Sequence, residues 1–140
     1  MKRVYVAGAM SSSDPIQFLE NLRKGMRLST ETLLAGYSIF SPFIDYSYFF
    51  QLHGGERISI ELIQSQSMAW LAVSEAVLLV PGWESSKGTA HEIAFANRHE
   101  IPIFQSLEEL KQEMPTTMGT SWWQNLPGHL KRTEAERPLI

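Results

Sequence analysis

The stretch Ser85-Ser86-Lys87-Gly88, with Glu92 four residues beyond it, is where this chain offers the most chemistry. Hydroxyls and a lysine just ahead of a helix suit a phosphate, because a helix N-terminus presents unpaired N–H groups and a partial positive charge. The same residues also describe an ordinary serine cap. Glu92 falls within the first turn or so of that helix and so points to the edge where the preceding strand ends. A carboxylate there can act as a nucleophile, or it can simply complement the helix dipole.

Other chemistries find less support. No second carboxylate stands at a telling spacing: Asp45 and Glu84 occupy loops able to reach the same edge, whereas Glu75 opens a strand at the opposite end. His53, His91, His99 and His129 lack metal-ligand spacing, so no metal is expected. Gly8 follows a strand without the full Gly-x-Gly-x-x-Gly pattern. Neither a Gly-x-x-x-x-Gly-Lys-Ser/Thr phosphate loop nor a Gly-x-Ser-x-Gly elbow occurs.

The elements that must position these residues follow from pattern. Arg3 to Gly8 reads as a buried strand entering the loop Ala9-Met10-Ser11-Ser12-Ser13. Asp14 then caps a helix with Pro15 at its first position and Gln17 completing a capping box. Leu19, Leu22, Met26 and Leu33 supply its apolar face, and Gly36 is its left-handed stop. Tyr37 to Phe40 is a second strand, halted by Ser41-Pro42. From Phe43 to Gly55 the chain is an aromatic loop, either core filler or the wall of a pocket for a flat ligand. A helix follows over about Glu56 to Val73, carried by Ile58, Leu62, Met68, Leu71 and Ala72. Glu75 to Val80 is apolar throughout after its first residue, as a central strand covered on both faces should be. Beyond the polar loop from Trp83 to Gly88 come a helix over about Thr89 to His99, a strand over Ile101 to Phe104 and a helix over about Ser106 to Glu113.

This alternation predicts an α/β three-layer sandwich, Rossmann- or flavodoxin-like, with a small parallel sheet of about four to five strands. The loops after strands one, two and three then converge on one edge. Residues 1–113 form the domain, and 114–140, which carry Trp122-Trp123, read as a docking arm or a partly disordered tail.

Composition narrows the function classes. With 140 residues, 44% hydrophobic and 19% charged, the chain is expected to fold as one domain with its own core. A net charge of −3 argues against a surface built to hold a nucleic-acid polymer. The absence of cysteine excludes disulfides, iron–sulfur clusters and thiolate zinc. No apolar run approaches the roughly 20 residues of a membrane span. Met1-Lys2-Arg3 leads straight into a strand without a signal-peptide core, so the expected compartment is the cytoplasm.

The succession Val4-Tyr5-Val6-Ala7-Gly8, then Leu34-Ala35-Gly36-Tyr37, Trp70 to Glu92 and Ile101-Pro102-Ile103 resembles the nucleoside 2-deoxyribosyltransferase-like superfamily over about residues 3 to 104. It is closest to short bacterial and phage members, and related to nucleoside 5'-monophosphate N-glycosidases. Its most specific piece is Ser86-x-Gly88-x-x-x-Glu92 after a buried strand. The resemblance implies that Glu92 attacks the anomeric carbon to give a covalent glycosyl-enzyme, with Tyr5 orienting it. It implies that Gly8, Met10, Ser11 and Ser12 approach sugar and phosphate, that Ser86 and Gly88 hold the 5' end, and that Asp45, Ser67 and Trp83 line the substrate. The expected reaction is hydrolysis or base exchange at the N-glycosidic bond of a nucleoside or nucleoside 5'-monophosphate. No cofactor is expected.

One departure bears on activity. The enzymes carry an aspartate three residues before the Trp-Leu pair, and this chain has Ser67 there. The loss implies either compensation by Asp45 or Glu84 or a non-catalytic nucleotide-binding module, a sensor or sequestering protein. Because both carboxylates fall in predicted loops, the sequence favours faster base release on Ser67→Asp. Relatives complete their sites from a neighbouring subunit, so a homo-oligomer, dimer or tetramer, is expected, with Asn125 or Trp122-Trp123 as candidate contributors.

Overall fold

Four parallel strands in the order β2-β1-β3-β4 organise the computed structural model, which describes residues 1–117 and Gly128. The chain runs β1 (Arg3–Ala7), α1 (Pro15–Leu34), β2 (Ser38–Phe40), a 3₁₀ run (Pro42–Gln51), α2 (Ile60–Leu71), β3 (Ala76–Leu79), a 3₁₀ turn (Trp83–Ser85), α3 (Lys87–Arg98), β4 (Ile103–Phe104) and α4 (Leu107–Glu113). Tyr5 pairs with Phe40 of β2 and with Val77 of β3, and Leu78 pairs with Phe104 of β4.

Strand alternation builds two cores. Val4, Ala76 and Leu78 face α1 and α4, meeting Leu28, Leu107 and Leu110. Tyr5, Ala7, Val77 and Leu79 face the other way, meeting Leu71 of α2 and Ala96 of α3. Three layers result, as the alternation of elements predicts. After β1 the chain turns to one side for β2 and later to the other for β3, so the carboxyl ends of β1 and β3 flank the switch point where such sheets bind ligands. No helix among the described residues is long and apolar enough to cross a membrane.

The structure corrects several local expectations. The fully buried residues of α1 are Gly25, Ser29 and Thr32, with Leu22 and Leu28 partly buried beside them, while Leu19, Met26 and Leu33 are 45%, 39% and 51% exposed. Close approach wins over hydrophobic periodicity here. A Cβ on Gly25 would lie 2.3 Å from the Phe43 ring, so only glycine lets that ring rest on the helix. The hydroxyls of Ser29 and Thr32 donate to the carbonyls of Gly25 and Leu28, both at 2.7 Å, which makes their burial inexpensive. Gln17 closes no capping box, because its amide donates to Asn21 at 2.9 Å; Asp14 alone caps, accepting from the Ile16 N–H.

The aromatic stretch is not an irregular loop: Pro42 to Gln51 winds as 3₁₀ helix. The core-filler reading holds for Phe43, which is buried, whereas Phe50 is 86% exposed. α2 starts at Ile60 and not at Glu56, because the Ser59 hydroxyl accepts from the Leu62 N–H at 3.2 Å and fixes the first turn. α3 starts at Lys87, two residues before its expected start, for the same reason at Ser86. Residues 114–117 dock on the sheet's amino edge: the Tyr37 hydroxyl donates to the Met114 carbonyl at 2.9 Å, and the Lys2 N–H to Thr116 Oγ1 at 3.3 Å. Trp122, Trp123 and Asn125 lie outside the described residues.

Candidate functional site

Tyr5 sits in the middle of β1, and its side chain is fully buried on the α2/α3 face. Its ring stacks on Phe40 at 5.6 Å, and Phe40 stacks in turn on Trp70 of α2 at 5.3 Å. With the ring held by this column, the phenol donates to Glu92 Oε1 of α3 at 2.6 Å. Short donation to a carboxylate is the signature of a charge-assisted bond.

Glu92 lies in the second turn of α3, partly buried against that phenol. Burial raises its pKa to about 7, and the Tyr5 bond, which favours the ionised form, offsets part of the rise. The Tyr5 phenol is itself raised well above its ordinary range, first by burial and then by the Glu92 charge, so it stays a proton donor.

Two further groups act on the same phenol. Ser67, buried on α2, interacts through its hydroxyl and favours ionisation of Tyr5, whereas the Asp45 charge opposes it. Asp45 is only 6% exposed and accepts from the Gln66 amide at 3.1 Å. Burial raises its carboxyl and the Gln66 bond lowers it. A carboxylate expected on a loose loop is therefore held by a 3₁₀ run and by a neighbouring helix. Glu84, the other loop carboxylate, is exposed on the turn ahead of α3. Glu75 lies at the amino edge as expected, accepting from the Arg3 N–H at 2.9 Å.

The remaining expected residues surround this cluster. Ser86 caps α3, its Oγ accepting from the Thr89 N–H at 3.1 Å, which leaves the hydroxyl proton free to donate outward. Gly88 follows in the first turn, where a Cβ would meet only Ser86 Oγ at 3.7 Å, and the first-turn N–H groups have no intrahelical acceptor. Gly8 serves close packing, since a Cβ there would lie 2.6 Å from Val80 Cβ. Met10 packs towards Val6, Phe43 and Val80, and Trp83 towards the Tyr5 core. Ser11 and Ser12 line a cavity of about 430 Å³ between the start of α1 and the chain leaving β3; Glu92, Tyr5, Ser67 and Asp45 do not.

Sequence reasoning missed Gln66, which orients Asp45, and Asn21, whose amide donates to the Met10 carbonyl at 3.2 Å and ties down the loop after β1. Gln66 shares a helix face with Ile63 and Trp70, the only signal that could have found it. Among the described residues no group of three or more histidine or acidic side chains is clustered to hold a metal.

No curated protein matches the chain. The sequence profile of the family described as Domain of unknown function (DUF4406) matches residues 2–105, which include every residue of the site just described, and the chain belongs to that family.

Proposed function

We propose that this protein cleaves the N-glycosidic bond of a nucleoside or nucleoside 5'-monophosphate, by hydrolysis or by base exchange, with Glu92 as nucleophile. The observation that carries this reading is the Tyr5–Glu92 bond of 2.6 Å at the carboxyl edge of the sheet. A phenol that donates to one carboxylate oxygen fixes the group and leaves the other oxygen to attack. The likeness of Tyr5, Ser86, Gly88 and Glu92 to the nucleoside 2-deoxyribosyltransferase-like pattern supports the same assignment.

The chemistry is a double displacement. A Glu92 oxygen bonds to the anomeric carbon as the bond from that carbon to the base nitrogen breaks, and the base departs with the electron pair and takes up a proton. Water or a second base then attacks the same carbon, the ester bond breaks, and the Glu92 carboxylate is restored. Asp45 is the one fully buried carboxyl group among the described residues, and burial biases it towards the protonated form that a proton donor needs. The 5' end would lie at Ser86 and the first turn of α3.

The presence of Ser67 where the enzymes have a carboxylate favours a second reading, a nucleotide-binding module without turnover. Incubation with nucleosides and their 5'-monophosphates, with chromatography for free base, separates the two. Base release that Glu92→Gln abolishes is the expected result; nucleotide binding without release at any pH from about 5 to 8 would replace the enzyme with the binder.

A further inference from the structure

The cavity beside the site has a composition of its own. It occupies about 430 Å³, within the range of about 300–1,000 Å³ typical of sites that take a whole small molecule. Its polar lining is Ser11, Ser12, Gln17, Asn21, Lys24 and Ser85, with neither a carboxylate nor an aromatic ring among the lining residues. With a lysine as its one charged side chain, such a surface suits an anion.

Lys24 is its cation. The two arginines beside it on α1 are engaged within the helix, Arg23 with Glu20 and Arg27 with Glu31 at 2.7 Å, whereas Lys24 has no ion-pair partner among the described residues. The loop wall is also prearranged: Gln17 donates to Asn21, and Asn21 to the Met10 carbonyl, so Ser11 and Ser12 extend from an anchored backbone. The cavity stands on the α1 side of the switch point and Glu92 on the α2/α3 side, with Ser85 and Ser86 between them in the chain leaving β3. A nucleotide with its sugar at Glu92 and its first phosphate at Ser86 would direct anything attached to that phosphate across the edge towards Lys24.

We propose that this cavity is a second anion subsite, with Lys24 as its charge, and that the preferred ligand class is a nucleoside 5'-diphosphate or a conjugate of one. The inference rests on the reading of the Ser86 edge as a 5'-phosphate site and extends it by one phosphate. Calorimetry with one nucleoside as its 5'-mono- and 5'-diphosphate, on the Glu92→Gln protein to prevent turnover, tests it. The diphosphate should bind about tenfold more tightly or better, the scale of one charge-assisted hydrogen bond. Lys24→Ala should collapse that ratio towards one, and Lys24→Arg should retain most of it. A diphosphate that binds no better than the monophosphate, or a ratio untouched by Lys24→Ala, overturns the subsite while leaving the monophosphate reading standing. Binding of neither nucleotide overturns both.

Discussion

The two sides of the sheet's carboxyl edge use opposite physics. On the α2/α3 side, Tyr5, Ser67 and Asp45 are buried, Glu92 is partly so, and the protonation of three of the four is displaced by that burial. On the α1 side, an open cavity carries hydroxyls, amides and an exposed lysine. Burying ionisable groups costs stability, and a fold that places two carboxyls around one phenol holds them where low dielectric strengthens every interaction with a developing charge. The open side has no such cost and no such leverage, which suits it to binding. On the proposed reading, chemistry belongs to the buried side and recognition to the open one.

Glu92→Gln tests that division most severely. Base release should fall by about 10³-fold or more, the scale for removal of a nucleophile, while nucleotide binding persists. The same variant reports on cost. A carboxyl raised to about 7 stabilises the fold while protonated, and that contribution is lost as pH climbs from about 4.5, its ordinary value, through about 7. The parent should therefore lose stability over this window by up to a few kcal/mol. Glu92→Gln, which cannot ionise, should remove most of that slope in denaturant titrations at pH 5 and pH 8. An unchanged slope would mean that Glu92 is not the buried group its surroundings describe.

Tyr5→Phe should have the next largest effect. It removes one charge-assisted bond, worth about 10- to 100-fold in rate, and leaves the ring stack with Phe40 in place. Because the phenol lowers the Glu92 carboxyl, its loss should also move the rising limb of the pH–rate profile, expected near pH 7 in the parent, to higher pH. A simple fall in rate with the limb unmoved would make Tyr5 a packing residue and not a positioning one.

How far the sequence reveals this arrangement depends on the length scale of the signal. Strand β3 was legible because five successive apolar residues, Ala76 to Val80, leave no exposed face, and the parallel sheet follows from the alternation of elements. The juxtaposition of Tyr5 and Glu92 came through the family resemblance and not through spacing, since the two stand 87 positions apart. α1 misled because its burial depends on Gly25 and two small hydroxyl residues whose fit against Phe43 has no periodic mark. Asp45 falls in a predicted loop because a 3₁₀ run rich in aromatics has neither helical nor strand periodicity. Lys24 could not be set apart from Arg23 and Arg27 without knowing which cations are already paired.

The substitution expected to have the smallest effect also has the most informative sign. From sequence alone, Ser67→Asp should restore a missing acid and speed base release. The burial of Asp45 and its bond to Gln66 reverse that expectation, because a held carboxylate already acts on the Tyr5 phenol that Ser67 touches. A new aspartate at a position 6% exposed to solvent would add a like charge to a site with two carboxyls and raise the pKa of at least one of them. At pH 7 the Glu92 nucleophile would then be less ionised, and release should slow by several-fold to about tenfold, with recovery as pH is raised. The comparison sharpens with Asp45→Asn in the same background: once Asp45 can no longer ionise, Ser67→Asp should raise the rate relative to Asp45→Asn alone. Faster release by Ser67→Asp with Asp45 intact would show instead that Asp45 contributes no acid, and that the buried side of the edge holds a single working carboxylate.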